Sequence, residues 1–305
     1  MAAKSHLQRK LSAGAFVVTA EVTPPLSADG AVLLARAAPL KGRADAVNVT
    51  DAAGARAAMS SFAAAAILVR DGIEPVLQIT CRDRNRIALA CDLLGAAAQG
   101  VSNLLILHGD DPAVGDQPEA APVYDLDSRA VMSLARQMRD QAMLPSKRRI
   151  EPPPHFFIGA ADTPRDPEAD WEPKGLEAKA AAGAEFVQTQ FCFDLAMAER
   201  YFARLRDFGM TDRLAFLVGV GPIATARSAR WMRDNLFGVS VPDALVARLE
   251  RAADPAAEGR RICIEMIQGL RTVPGVSGVH LMAPLQTVET LAAIIDESGV
   301  RSEAA

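Results

Sequence analysis

The chain has 305 residues, of which 50% are hydrophobic, 23% are charged and 5% are aromatic. This composition belongs to a globular protein with enough apolar material for a core, which excludes disorder as the main state. The net charge of −4 argues against a dedicated nucleic-acid binder, because such a protein presents a basic face. The length suits one large domain or two small ones, and it also accommodates a single parallel α/β barrel.

The sequence shows no sign of a membrane, secreted or metal-binding protein. Its longest apolar stretch, between Arg56 and Arg70, is shorter than the roughly 20 residues that span a bilayer. The apolar run near the N-terminus meets Glu21 too early to resemble a signal peptide. The four cysteines form no CxxC pair and the four histidines no HxH or HExxH pair. We therefore expect no disulfide framework, no metal site and a cytoplasmic location.

Eight short aliphatic and β-branched runs alternate with longer segments of helical spacing. Several runs are apolar on both faces, as buried parallel strands are. The predicted strands are residues 16–22, 46–50, 75–80, 103–109, 155–160, 185–191, 214–220 and 278–282. This alternation favours the α/β class and a single (β/α)8 TIM barrel, which we expect to span residues 1–305 with its core at about 11–300. An open doubly wound sheet is the alternative, but the first βα loop lacks the GxGxxG of a dinucleotide-binding sheet.

Spacing and capping signals predict individual helices between these strands. Ile87, Cys91 and Leu94 recur at i, i+4 and i+7, which predicts a helix after the third strand. Asp83 is the predicted N-cap of that helix, and Asp194 is the predicted N-cap of the helix after the sixth strand.

Polar residues stand where the predicted strands end, at the rim that carries function in such barrels. Glu21 is the clearest case, because it ends an apolar strand where poor solvation favours its neutral form and allows it to donate a proton. Its simpler interpretation is a strand-end carboxylate bound to a loop amide. The other polar strand-end residues are Asp51, Gln78, Thr80, His108, Asp110, Asp162 and Gln190. Each alone is most simply a loop cap, but their convergence on one mouth favours a functional site.

Five segments, in order and spacing, resemble the methylenetetrahydrofolate reductase family. They are LxxGxFVVTAEVTPP, NVTD, LQITCRDRNR, LLILHGDDP and KAAAGAEFVQTQFCFD, and the resemblance runs from about Leu11 to Val300. Members of this family are (β/α)8 barrels that hold FAD and reduce 5,10-methylenetetrahydrofolate to 5-methyltetrahydrofolate with NADH or NADPH. The resemblance therefore implies a flavoprotein oxidoreductase of one-carbon metabolism and methionine biosynthesis.

The resemblance also assigns roles to single residues. Glu21 falls on the general acid that opens the five-membered ring of the folate to a reactive iminium. Asp110 falls on the carboxylate between flavin and pterin, and Gln190 on the glutamine that contacts the pterin and the nicotinamide donor. The residues that the resemblance places around FAD are Thr50, Asp51, Gln78, His108, Gly109, Asp110, Tyr124, Asp125 and Lys179.

Several positions depart from the family pattern around FAD. Asp51 and Ala52 stand where many members have an aromatic residue and a glycine. The other departures are Gln78 in place of His, His108 in place of Arg, Gly175 in place of Asn and Ala178 in place of Arg. We expect Lys179 to face the flavin phosphates and Arg82, with Arg84 beside it, to replace a lost cation.

Two other functions stay open on the sequence. A non-catalytic or accessory folate-binding barrel subunit that has lost tight FAD binding fits the departures. A barrel lyase or aldolase needs a Schiff-base lysine at a strand end, and no predicted strand ends in one. Besides the folate and NAD(P)H, the expected partners are a second copy of the chain or an accessory subunit, with no membrane and no nucleic acid.

Overall fold

The apolar runs pair side by side into a ring of parallel strands in the computed structural model, which describes residues 4–283 and 286–301. Each strand pairs with its neighbours in sequence, and the first pairs with the last, so the barrel is closed. The strands are β1 Val17–Val22, β2 Ala46–Val49, β3 Pro75–Thr80, β4 Asn103–Leu107, β5 Phe157–Asp162, β6 Phe186–Phe191, β7 Ala215–Val220 and β8 Val276–Leu281. The predicted (β/α)8 barrel is confirmed, and every predicted strand boundary lies within two residues of the observed one.

Helices cover the outside of this ring. The helices of the described residues are α1 His6–Ser12, α2 Gly30–Ala37, α3 Ser61–Arg70, α4 Arg86–Ala98, α5 Ser128–Gln141, α6 Lys174–Ala182, α7 Leu195–Asp207, α8 Met210–Arg213, α9 Ala226–Asn235, α10 Asp243–Arg251, α11 Pro255–Leu270 and α12 Val288–Glu297. Among these described helices, none is long and apolar enough to cross a membrane.

The helix predicted after the third strand is present as α4, but the predicted apolar face is the wrong one. Ile87 and Cys91 are exposed, and Leu94 is half-buried. The buried face instead carries Leu89 and Leu93. The segment is rich in small apolar residues, so two helical faces fit the spacing and periodicity alone does not choose between them.

One of the two predicted N-caps is also wrong. Asn85 caps α4, because its side-chain oxygen accepts hydrogen bonds from the backbone N–H groups of Ile87 and Ala88. Asp83 binds the Arg82 guanidinium instead. Asp194 caps α7 as predicted, since its carboxylate accepts a hydrogen bond from the Met197 N–H at 3.0 Å.

Side chains alternate across the barrel wall. In β1, Val18, Ala20 and Val22 pack outward in the large core under the helices, whereas Val17 packs inside the barrel. The interior cluster at the amino end of the barrel consists of Leu7, Val17, Ala46, Val76, Leu105, Phe157, Phe186 and Leu217. Because α1 contributes the fully buried Leu7, this short helix closes the amino end.

At this closed end of the barrel, Asp45 binds residues from near both ends of the described chain. Its carboxylate accepts a hydrogen bond from the Val18 N–H at 2.7 Å and pairs with Lys10 Nζ and Arg301 Nη2, each at 2.8 Å. Burial raises the pKa of Asp45, but the bonds to Arg301, Lys10 and Val18 outweigh burial and hold that pKa below its usual value.

We expect Asp45→Asn to lower the free energy of unfolding by about 1–3 kcal/mol at pH 7, because it removes the charge-assisted hydrogen bonds that the buried carboxylate accepts from the partly exposed Lys10 and Arg301. A carboxylate whose pKa is lowered by folding stabilises the fold above its unfolded pKa of about 3.9 and loses this effect as pH falls through the lower folded value. The stability difference between wild type and variant, measured by urea unfolding, should therefore shrink below pH ~4. Asp296→Asn, which removes a half-exposed partner of Arg43, is the control. A difference that stays constant into acid would refute this account of Asp45.

Candidate active site

A cavity of about 680 Å³ opens at the carboxyl end of the barrel. Its wall brings together polar side chains from β1, β3 and β6 and from the loops after β2, β4 and β5. The sequence-predicted residues on this wall are Glu21, Asp51, Gln78, Thr80, His108, Gly109, Asp110, Asp162, Lys179 and Gln190. Four further predicted residues, Thr50, Arg82, Tyr124 and Asp125, do not line it.

Glu21 lies in a more polar setting than its strand suggests. Gln78 Nε2 donates a hydrogen bond to Glu21 Oε2 at 3.0 Å, and His280 Nε2 lies 3.8 Å from the same oxygen. The Glu21 side chain is 22% exposed. Within the described part of the chain, Oε1 has no hydrogen-bond partner, so one carboxyl oxygen is held and the other is available to a ligand.

In Asp110, as in Glu21, the protein holds one of the two carboxylate oxygens. Oδ2 accepts a hydrogen bond from the Gly54 backbone N–H at 2.7 Å, which ties the loop after β4 to the loop after β2. The Asp110 carbonyl also accepts a hydrogen bond from Arg82 Nη1 at 3.2 Å. Asp110 is thus a loop cap, as its simpler interpretation predicts, and it also lies on the cavity wall.

The turn before Asp110 requires glycine at position 109. Gly109 has φ +97°, a conformation that side chains disfavour, and a Cβ there would lie 3.0–3.1 Å from the Cβ atoms of Arg82 and Thr80. This turn presents His108 to the cavity with its ring stacked on Tyr124, at a centroid distance of 4.5 Å. Tyr124 therefore supports the wall through His108 and does not face the cavity itself.

Asp51 is a structural brace whose oxygens are both occupied. It accepts hydrogen bonds from Ser61 Oγ and from the N–H and hydroxyl of Thr80, at 2.9–3.0 Å. Arg84 adds two more, from Nη1 at 2.6 Å and Nη2 at 3.1 Å. Burial raises the pKa of Asp51, but Arg84 and Thr80 outweigh burial and the pKa lies below its usual value. Arg84 is therefore bound inside the protein and is not the replacement cation expected from the sequence.

Arg82 is likewise engaged away from the cavity. Its side chain is 3% exposed, and Nε and Nη2 each bind Asp83 at 2.7 Å. Asp125 is engaged as well, because Arg86 binds it through its backbone N–H, Nε and Nη2 at 2.8–2.9 Å. Thr50 is buried, and its hydroxyl oxygen has no partner within residues 4–283 and 286–301.

Two cations on the cavity wall lie near the end of β5. Lys179 of α6 donates a hydrogen bond to the Ala161 carbonyl at 2.6 Å and lies 4.0 Å from Asp162 Oδ1. Burial raises the pKa of Asp162, more than the Tyr201 hydroxyl and Lys179 lower it. Arg165 is the second cation, exposed at the rim. Sequence reasoning missed Arg165, although its place in the long loop after the fifth strand was a usable signal.

The β6 side of the cavity carries Gln190. The pairing register of β6 with β7 shifts between Gln188 and Phe191, so the strand is irregular at this residue. Gln190 Oε1 accepts a hydrogen bond from the Phe191 N–H at 3.0 Å, which leaves its amide N–H groups for a ligand. Phe237 adds an apolar face to the rim and is 88% exposed, and the sequence analysis did not single it out.

Comparison with known proteins places the chain in a family. The family model described as methylenetetrahydrofolate reductase matches residues 6–299. A "Probable methylenetetrahydrofolate reductase (NADPH)" from Caenorhabditis elegans is 27% identical over 230 residues, which cover 73% of this chain and 32% of that protein. "Methylenetetrahydrofolate reductase 2" from Saccharomyces cerevisiae is 26% identical over 249 residues, covering 74% and 38%. This chain thus spans less than half the length of these curated relatives.

A solved structure shares the fold. It is an uncharacterized protein from Clostridium thermocellum that binds two copies of 5-methyl-5,6,7,8-tetrahydrofolic acid. The TM-score is 0.65 at 13% identity, and the match covers 97% of this chain and 100% of that one. At this identity the likeness concerns the barrel alone.

The Asp51 brace yields a prediction about stability. Asp51→Asn should lower the free energy of unfolding by about 3–5 kcal/mol, because it removes the carboxylate from a buried ion pair. Asp92→Asn is the matched control, since Asp92 also binds Arg84, at 3.0 Å, but its side chain is 36% exposed. The control should lose at most about 1 kcal/mol in the same urea titration. Equal losses in the two variants would show that Asp51 is not the principal brace.

Proposed function

Because the chain belongs to the methylenetetrahydrofolate reductase family, we propose that it reduces 5,10-methylenetetrahydrofolate to 5-methyltetrahydrofolate. The electron donor is NADH or NADPH, the cofactor is FAD, and the reaction serves one-carbon metabolism and methionine biosynthesis in the cytoplasm. The observation that carries this proposal is the meeting of Glu21, Asp110 and Gln190 on one cavity wall. A proton donor, a carboxylate and an amide are the groups that this reduction needs.

Glu21 is the general acid in this proposal. The substrate carries its one-carbon unit between two nitrogens, N5 and N10, and the product keeps that carbon on N5. The proton of Glu21 therefore goes to N10, the bond from the carbon to N10 breaks, and a positive iminium is left on N5. Gln78 holds Oε2 of Glu21, so Oε1 is the oxygen that carries the proton.

Asp110 and Gln190 hold the substrate while the ring opens. The iminium is positive, and a carboxylate fixed beside it stabilises the charge as it develops. One oxygen of Asp110 is fixed by the Gly54 N–H and the other accepts no hydrogen bond from the described residues, which suits this role. The amide N–H groups of Gln190 are available to the polar edge of the pterin.

The cavity wall carries cationic side chains, which fit an anionic flavin nucleotide. Lys179 and Arg165 supply the positive charge that a diphosphate needs. Gln78 of β3 and His108 after β4 supply further polar contacts on the cavity wall. When bound, FAD supplies the hydride chemistry, and the protein supplies orientation, the proton and the fixed charges.

A non-catalytic or accessory folate-binding subunit is the second candidate. It is favoured by the ion pairs of Arg82 with Asp83 and of Arg84 with Asp51, which draw both guanidinium groups away from the cofactor's phosphates. The visible spectrum of the purified protein, before and after addition of FAD, separates the two candidates. A protein-bound flavin spectrum and folate-dependent NAD(P)H oxidation support the reductase. A colourless protein that binds folate but neither FAD nor NAD(P)H supports the second candidate.

Substitution of Glu21 tests the acid directly. Glu21→Gln keeps the shape of the side chain but removes its proton, so folate reduction should fall about 10²–10⁴-fold. Bleaching of the flavin by NAD(P)H without oxygen should stay near the wild-type rate, because that step needs no acid on the folate. Both rates can be followed separately by stopped-flow absorbance.

Glu177→Gln is the control for this variant, since Glu177 is exposed on the helix that carries Lys179. It should leave both rates unchanged. Full folate reduction by Glu21→Gln would exclude Glu21 as the acid and make Asp110 the next carboxylate to test. Loss of both rates together with loss of flavin would mean that Glu21 is structural.

A further inference from the structure

A second cavity, of about 390 Å³, lies beside the first at the carboxyl end of the barrel. Its described lining residues come from the end of β1 and the loop after it, from α2, and from the loop after β8 and the start of α12. These elements are neighbours because β1 pairs with β8. Glu21 lines both cavities, and no other described residue does. The side chain of Glu21 therefore stands at the junction between two spaces.

The second cavity combines aliphatic walls with a single cation. Val22, Val288 and Leu291 supply the aliphatic surface. Arg36 is exposed and is the one cation among the described lining residues. Its Nη1 donates a hydrogen bond to the Thr23 carbonyl at 3.2 Å, and it forms no ion pair within residues 4–283 and 286–301. A guanidinium group has five N–H donors, so Arg36 has others available for an anion.

Two further polar residues shape what a ligand meets in this cavity. Gln286 Nε2 donates a hydrogen bond to the Pro222 carbonyl at 3.1 Å, which leaves its Oε1 to accept a bond from a ligand N–H. Glu289 is exposed in the first turn of α12 and brings a negative charge to the same wall. An anionic ligand is therefore attracted by Arg36 and repelled by Glu289, so the two residues should change its affinity in opposite directions.

The role proposed for Glu21 decides which part of the folate reaches the second cavity. N10, the nitrogen that Glu21 protonates, joins the pterin half of the folate to its benzoylglutamate half. Asp110 and Gln190 hold the pterin in the larger cavity, so the other half leaves Glu21 in a different direction. That half has a flat apolar ring, an amide N–H and carboxylates. The second cavity offers aliphatic walls, an amide oxygen and a guanidinium group.

We propose that the second cavity binds the benzoylglutamate half of the folate, with a glutamyl carboxylate on Arg36. The benzoyl ring packs on the aliphatic wall, and Glu21 reaches N10 at the point where the two cavities meet. Arg36 thereby selects folates with an acidic tail over pterins that lack one. The inference rests on the proposed function in one respect, the role of Glu21 as the acid that faces N10.

Equilibrium binding of two ligands tests this assignment without turnover. Tetrahydrofolate carries no one-carbon unit, and tetrahydropteroate is the same molecule without its glutamate. Wild type should bind tetrahydrofolate about fivefold more tightly, and Arg36→Met should abolish that difference by weakening tetrahydrofolate alone. The difference should also shrink at high salt, whereas Glu289→Gln should enlarge it.

Arg206→Met is the matched control for Arg36→Met. Arg206 is also exposed and also donates to a backbone carbonyl, that of Pro274, but this carbonyl precedes β8 at the amino end of the barrel. The control should leave the affinity for both ligands unchanged.

A labelling experiment tests the place of the tail. Thr287 is exposed on the wall of the second cavity, and Cys91 is the exposed cysteine among the four of the chain. In a Cys91→Ser background, Thr287→Cys should react with a maleimide several-fold more slowly when tetrahydrofolate saturates the protein. Saturation with 6-methyltetrahydropterin, which has no tail, should leave the labelling rate unchanged.

The outcomes separate this inference from the proposed function. Equal affinity of wild type for tetrahydrofolate and tetrahydropteroate, or equal losses for both in Arg36→Met, overturns the inference and leaves the proposed function standing. Weaker binding of NADH or NADPH, with unchanged binding of tetrahydrofolate, would assign Arg36 to a nucleotide phosphate and also overturn it. A protein that binds no folate refutes both. Should Arg36→Met fail to fold, the wild-type comparison and the labelling rates decide.

Discussion

The alternation of side chains in a closed parallel barrel is the constraint on which this structure depends. Because the ring has no open edge, every second residue of each strand must lie inside. In β1 the inward residues run from Val17 through Thr19 to Glu21, from an apolar base through a hydrogen-bonded polar layer to the cavity. The chemistry is thus confined to the carboxyl end, and the apolar base supports it from below.

Four carboxylates fall into two groups, according to whether one of their oxygens is left without a hydrogen bond from the described residues. Asp45 and Asp51 are buried and bound by several donors each, and the cations beside them hold their pKa values below the usual range. Glu21 and Asp110 each have one oxygen fixed by a protein donor, and their other oxygen is available at the cavity. The first pair stabilises the fold, and the second pair suits proton donation and charge stabilisation.

The sequence was sufficient to predict the strands and the strand-end residues. Short aliphatic and β-branched runs are local signals, and function in such barrels lies at the carboxyl ends of the strands. The sequence did not show that Arg84 binds Asp51. The two residues lie in the loops after β2 and β3, and the distance between their side chains depends on how these strands pair. The contact between Thr19 and His280 was missed for the same reason, because the two residues are separated by 261 positions in the sequence. In α4, small residues on several faces made the buried face ambiguous.

In the proposed reductase, one cavity passes reducing equivalents between FAD and the folate. The most direct test is to add 5-methyltetrahydrofolate, without oxygen and without any nicotinamide nucleotide, to the FAD-loaded protein and record the visible spectrum. The account predicts that the absorption of the oxidised flavin is lost and that 5,10-methylenetetrahydrofolate is formed in equal amount. A flavin spectrum that stays oxidised while the folate is bound would contradict it.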